Sequence, residues 1–196
     1  MDEKLDMIRH YVQGVFNQPG SHGLDHVLRV EYLCKLIGKE ERAEMEVLLP
    51  AALFHDIARP TEKETGMPHE EAGAEIAERY LRSIQYDEER VLKISHAIRT
   101  HRYRSSKKPE TLEARILSDA DKLDAMGAVG IARTFIRAGE HQGEIRDGIS
   151  HIHDKLLHLN GLMYTETARQ LAEERHRFLR GFLEKIEGEI ALSDPL

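Results

Sequence analysis

Residues Val47–Phe54 read VLLPAALF, and the next two residues are His55 and Asp56. A segment apolar on every side belongs inside a protein core rather than on its surface. It is far too short for a membrane, which asks for roughly 20 such residues. The chain must therefore fold around this segment and still accommodate the polar pair at its end. A buried, ionised aspartate is costly unless it is paired or bound to a cation. No lysine or arginine occurs between Ala43 and Ala58, so Asp56 has no local counterion.

Helical patterns supply the cover for this core, and no run of alternating β-branched residues reaches strand length. From Asp2 to Phe16, Leu5, Ile8, Val12 and Val15 recur at spacings of three and four and make one helical face. The segment at about 24–37 repeats this with Val27, Val30, Leu33 and Ile37, and Gly38 reads as its C-cap. Residues 41–58 form the core helix, which Pro50 should kink or break by removing a backbone donor. Further helices are expected at about 68–83, 87–100, 111–125 (capped by Thr111), 127–139 and 164–190. The stretches 59–67, 101–110 and 140–163 hold most of the breakers and read as loops. The fold class implied is an all-α, compact helical bundle.

Without repeats or a long linker, the 196 residues read as one domain, 1–196. The charged N-terminal MDEKLDMIRH has no apolar signal segment, and the single cysteine, Cys34, allows no internal disulfide. Both point to a cytoplasmic protein with no membrane attachment. A net charge of −7 argues against a nucleic-acid polymer as partner, because its phosphates would be repelled. Twelve histidines, several beside acids, direct attention to metal chemistry instead.

An HD dipeptide alone recurs by chance. His153-Asp154, in SHIHDKLLH with His158 a turn beyond, reads as such a case in a polar stretch, and His141 and His151 find no role either. The pair at 55–56 has better company. Upstream, His22-Gly23-Leu24-Asp25-His26 opens an amphipathic helix, and downstream SDADKLD places Asp119, Asp121 and Asp124 within an otherwise apolar helix. A helical wheel does not choose between Asp119 and Asp121. Two imidazoles with two carboxylates make a mixed nitrogen and oxygen donor set suited to a divalent metal: Mn²⁺ first, with Mg²⁺, Co²⁺, Fe²⁺ or Zn²⁺ as alternatives. The absence of thiolates excludes a structural zinc knuckle.

Taken in order, His26, His55-Asp56 and Asp121 resemble the H…HD…D signature of the HD phosphohydrolase superfamily, an all-helical fold. SHGLDHVLRV, AALFHDIA and SDADKLDAMGAVGIARTF look like small stand-alone members, a group that includes nucleotide pyrophosphohydrolases; the match covers roughly residues 20–140. The resemblance implies metal ligands His26, His55, Asp56 and Asp121, with Asp121 rather than Asp119 as the fourth. One departure is Gly23, where the subgroup usually carries an aspartate, and it touches only the hydrogen bonds around the site.

Arg99, Arg102, Arg104, Lys107 and Lys108 fall within ten residues and form a local basic patch in an acidic chain. Such a patch would collect a phosphorylated substrate and neutralise charge as it develops on phosphorus. Arg102, Arg104 and His96 are accordingly read as substrate-binding, together with Arg29, one turn after His26. Lys122, beside Asp121, and His101 join Asp56 as candidate catalytic groups, His101 as a proton donor to the leaving oxygen. His69, His96 and His101 are also candidates for a second metal, although His96 and His101 can both point inward only if their helix ends between them. The resulting expectation is hydrolysis of a phosphate ester or anhydride in a small molecule, foremost a nucleotide, by a water that the metal acidifies. The resemblance suggests that the bond cut is that of a triphosphate, giving monophosphate and pyrophosphate, with removal of phosphate from a monophosphate as the next choice. Two other classes use the same residues: a non-catalytic metal-dependent nucleotide sensor, and a di-iron oxygenase on the same fold.

Overall fold

Four of the apolar periodicities, those at 2–16, 24–37, 68–83 and 87–100, become helices that pack on the Val47–Phe54 segment. The computed structural model describes residues 2–16, 22–103 and 107–191. By contact the chain divides into two compact units, Met1–Asp121 and Lys122–Leu196. Among the described residues there is no strand, and the fold is all-α.

The first unit begins with α1 (Asp2–Val15) and α2 (Leu24–Glu40). Ile8 and Val12 of α1 and Val27, Val30, Leu33 and Ile37 of α2 are buried. Gly38 is not the C-cap that its place in the sequence suggests, for α2 continues to Glu40. A Cβ at Gly38 would lie 2.5 Å from Leu48 Cδ2, so the missing side chain is what lets the next helix pack closely there. The chain then reverses through Arg42 at φ 58°, which shortens the expected 41–58 helix to α3 (Met45–Phe54).

Every residue from Val47 to Phe54 is buried, and α3 packs against α1 and α2 as well as two later helices, α5 (His69–Ser83) and α6 (Glu88–Thr100). The helix runs through Pro50 instead of breaking. Proline cannot donate to the carbonyl four residues earlier, that of Glu46. The Tyr86 hydroxyl donates to this oxygen at 2.7 Å and replaces the missing bond.

The stretch read as a loop after Ala58 holds a 3₁₀ turn, Arg59–Thr61, and the short helix α4 (Glu62–Thr65), closed by Gly66 at φ 68°. The next helix in chain order after α6 is α7 (Leu112–Asp124), where Thr111 Oγ1 accepts from the Ala114 N–H at 3.2 Å, a side-chain N-cap.

The second unit contains α8 (Gly127–Glu140), α9 (Ile145–Asp154), a 3₁₀ stretch Leu156–Leu162 and α10 (Glu166–Ala191). Residues 140–163 are therefore mostly helical and not a loop. Glu144 and Asp147 form a reciprocal capping box that starts α9, and Ile152, Leu156 and Leu159 bury its apolar side. His153 of the second HD pair is exposed on α9 and bonds Glu187 at 2.6 Å. Among the described residues no helix is long and apolar enough to cross a membrane.

Candidate metal centre

Four helix ends in the first unit meet at Asp56. α2 begins just before His26, α3 ends at Phe54 and delivers His55 and Asp56, α5 begins at His69, and α6 ends at Thr100 just before His101. His26, His55, Asp56, His69 and His101 are each at most 3% exposed. Oδ2 of Asp56 lies 3.1 Å from His22 Nδ1 and 3.5 Å from His26 Nε2. Its other oxygen, Oδ1, lies 3.2 Å from His69 Nε2 and 3.7 Å from His101 Nε2. Asp121, half-buried on α7, brings Oδ1 to 3.5 Å from His26 Nε2.

Backbone carbonyls fix how two of the imidazoles face this carboxylate. His55 Nδ1 lies 2.7 Å from Ala52 O, and His101 Nδ1 lies 2.7 Å from Ile98 O. A carbonyl only accepts, so both Nδ1 atoms carry hydrogen and each ring turns its Nε2 toward the carboxylate. The Ser118 hydroxyl in turn donates to His101 O at 3.1 Å and steadies that residue from α7.

Burial pulls the His55 pKa down to about 4, against the charge of Asp56. At neutral pH its Nε2 is therefore bare, 3.2 Å from His26 Nε2. Burial alone would raise the Asp56 pKa, but the charge of His55 and hydrogen bonds from His101, His22 and His26 outweigh it and hold the carboxyl well below the usual range. Asp121 is likewise held at about 2, where His26, His101 and His55 overcome the effect of burial. For His101, burial lowers the pKa, yet the bond to Asp56 and the charges of Asp121 and Asp56 leave it raised. The cluster thus presents ionised carboxylates and inward-facing imidazole nitrogens, an arrangement that calls for positive charge at its centre.

A divalent cation fits that demand. The donor atoms of His26, His55 and Asp121 lie within 4.8 Å of one another, as do those of His22, His26 and Asp56, and those of Asp56, His69 and His101. Imidazole nitrogen with carboxylate oxygen, and no thiolate, suits the borderline first-row ions. Asp119 is fully buried on the same helix as Asp121, but among the described residues it joins none of these groups.

Beside His69 lies a knot of charge that the sequence did not reveal. Glu62 Oε1 accepts from the His69 backbone N–H at 3.2 Å and lies 3.0 Å from its Nδ1. Arg59 Nη1 lies 2.9 Å from His69 Nδ1 and 3.3 Å from Nε2. An in-plane bond to one ring nitrogen would leave the other far beyond reach, so the guanidinium sits over the ring face. Arg102 Nη1 bridges Glu62 and Glu70, each at 3.2 Å. Arg59, Glu62 and Glu70 carried no signal in the sequence, because only the turn after Asp56 and the start of α5 bring them to His69.

The remaining candidates are scattered around the cluster. Arg29 pairs with Asp25 at 2.7 Å on the surface of α2. His96 does not join the cluster: its Nε2 accepts from the Glu110 N–H at 3.1 Å, and His101 keeps helical backbone angles at the C-cap of α6, which leaves the two positions about 140° apart. Arg99 and Lys107 of the basic patch pair with Glu71, and Arg99 also with Glu78. Arg104 lies outside the described residues. Lys122, in the second unit, is buried with its ammonium over the Tyr164 ring, 4.8 Å from the centroid.

Comparison with known proteins decides the family. The HD domain family model matches residues 23–126, a span that contains His26, His55, Asp56 and Asp121. The chain belongs to the HD-domain superfamily. YpgQ of Bacillus subtilis is 34% identical over 199 residues, covering 96% of this chain and 94% of YpgQ. A crystal structure of YpgQ in complex with ADP superposes with a TM-score of 0.80 at 31% identity, over 95% of this chain and 97% of that one. A predicted HD-superfamily hydrolase from an uncultured Thermotogales bacterium has a TM-score of 0.71 at 33% identity, over 95% of this chain and 91% of the other. Of the two His-Asp pairs in the sequence, 55–56 lies inside the matched region and 153–154 outside it.

Proposed function

We propose that this HD-domain protein is a metal-dependent phosphohydrolase acting on a nucleotide, with His26, His55, Asp56 and Asp121 holding the divalent ion. The observation that carries the reading is the convergence of a bare His55 Nε2 and His26 Nε2, 3.2 Å apart, on the ionised carboxylates of Asp56 and Asp121. When bound, a divalent cation there polarises a phosphoryl oxygen and lowers the pKa of water, Mn²⁺ being the ion we favour. Asp56 would also orient the attacking water. His101, whose pKa the two aspartates raise, holds a proton at Nε2 and delivers it to the leaving oxygen. Arg102, and Arg29 one turn after His26 on α2, attract the phosphate groups.

A nucleotide is the preferred substrate because a relative that aligns along nearly the whole chain binds ADP. The bond broken is that of a triphosphate, giving monophosphate and pyrophosphate, with a monophosphate ester as the next choice. That end-to-end alignment also supports 1–196 as one functional domain, and the fully buried Cys34 suits a reducing cytoplasm. His96 and Lys122 carry no step in this reading.

The test is to strip the protein of metal, restore Mn²⁺, Mg²⁺, Co²⁺, Fe²⁺ or Zn²⁺ in turn, and resolve the products from a panel of nucleoside tri-, di- and monophosphates by phosphorus NMR. Metal-dependent release of pyrophosphate or phosphate, absent in Asp56→Asn, is the expected result. Metal binding without release from any nucleotide would leave a sensor and overturn the hydrolase.

A further inference from the structure

Two guanidinium groups converge on one carboxylate beside His69. Arg59 lies 3.5 Å from Glu62 Oε2, and Arg102 lies 3.2 Å from Glu62 Oε1. Glu62 Oε1 is already engaged by the backbone and ring of His69, so three groups crowd this one oxygen while Oε2 has only the long contact to Arg59. Both arginines make all their side-chain bonds through Nη1 alone among the described residues. A guanidinium offers five N–H donors arranged as a fork, so the Nε and Nη2 edge of each remains for another acceptor. The two side chains are 23% and 37% exposed.

We propose that Arg59 and Arg102 form a clamp for a diphosphate group, and that Glu62 holds the clamp in place until the diphosphate takes over its bonds. The proposal rests on the phosphohydrolase reading of the neighbouring His–Asp cluster and sharpens it. The substrate would be a nucleoside di- or triphosphate rather than a monophosphate. Two carboxylates, Glu62 and Glu70, hold the two guanidiniums through Nη1 at 3.2–3.5 Å, whereas a diphosphate brings several charged oxygens spread over two phosphorus centres. Each guanidinium can then engage a separate phosphoryl group bidentately, an interaction stronger than the present long contact between Arg59 and Glu62. The clamp is anchored where it matters. Arg59 stacks on His69, whose Nε2 faces Asp56, so a phosphate held by Arg59 lies next to the cluster.

The test is calorimetric titration of inorganic pyrophosphate, and separately inorganic phosphate, into the full chain, both metal-free and loaded with Mn²⁺. The wild type should bind pyrophosphate at least tenfold more tightly than phosphate. Arg59→Gln and Arg102→Gln should each weaken pyrophosphate binding at least tenfold while Mn²⁺ stoichiometry stays the same. Glu62→Gln keeps an acceptor for His69 but removes the competing charge, and should bind pyrophosphate at least threefold more tightly. Wild-type affinity in both arginine variants, weaker binding in Glu62→Gln, or no pyrophosphate binding by the wild type at millimolar concentration would each overturn the clamp. Unaltered affinity in the arginine variants alongside normal nucleotide hydrolysis would remove the clamp and leave the enzyme. Lost affinity in those variants, with no hydrolysis by the wild type, would keep the clamp and remove the enzyme.

Discussion

Loading the His–Asp cluster with a divalent ion should raise the unfolding temperature, and linkage sets the size of the rise. A ligand that binds only the folded state stabilises it by about 2.7 kcal/mol when present at about 100 times its Kd. For a chain of 196 residues, each kcal/mol moves the midpoint by about 2–4 °C, so a rise of about 5–10 °C is expected. Asp56 contributes to two of the donor groups and reaches five histidines, so Asp56→Asn should reduce the rise to below about 2 °C under the same conditions. Differential scanning calorimetry of chelator-treated protein, with and without Mn²⁺, reads both shifts. A wild type unmoved by Mn²⁺, Co²⁺, Fe²⁺ and Zn²⁺, or an Asp56→Asn variant stabilised as much as the wild type, would refute a metal site centred on Asp56.

The packing leads to three further outcomes. Tyr86→Phe leaves the Glu46 carbonyl opposite Pro50 without its hydroxyl donor and should cost about 1–3 kcal/mol by urea denaturation; no change would show that water replaces the bond. Burial pushes the Tyr86 hydroxyl up to about 12 from an ordinary value of 10.0, so its contribution is intact below pH 10 and is lost as the pH rises through 12. That alkaline loss of stability should be shallower in Tyr86→Phe. At Gly130, a Cβ would lie 2.2 Å from the Ala125 carbonyl oxygen, and Gly130→Ala should cost about 1–3 kcal/mol or more, read as a lower melting temperature.

The core and the residues of the cluster were legible for one physical reason. Hydrophobic periodicity reports burial directly, and an acid with no local counterion after an apolar helix demands a partner, as Asp56 does. Details that depend on tertiary neighbours were not legible. Gly38 looks like a helix stop but is a contact point for Leu48, and Pro50 looks like a breaker but is rescued by a hydroxyl from 36 positions later in the chain. The helix α9 was hidden because Gly148 and its histidines resemble loop composition, while its start depends on the reciprocal bonds of Glu144 and Asp147. Between Asp119 and Asp121 a helical wheel is indifferent, since both border apolar positions. The family resemblance points to Asp121, and the place of His26 and His55 gives the physical distinction. Arg59 and Glu62 were invisible for the same reason, as their meaning comes from His69.

The most direct test of a catalytic metal at this cluster tracks two signals in one titration. Mn²⁺ is added stepwise to metal-stripped protein in the presence of a nucleoside triphosphate, with bound Mn²⁺ read by electron paramagnetic resonance and product release measured in the same samples. Hydrolysis should rise in proportion to bound Mn²⁺ and level off at the same stoichiometry, and both signals should be lost together in Asp121→Asn but kept in His96→Gln. Hydrolysis before any metal is bound, or full Mn²⁺ binding and hydrolysis in Asp121→Asn, would contradict it.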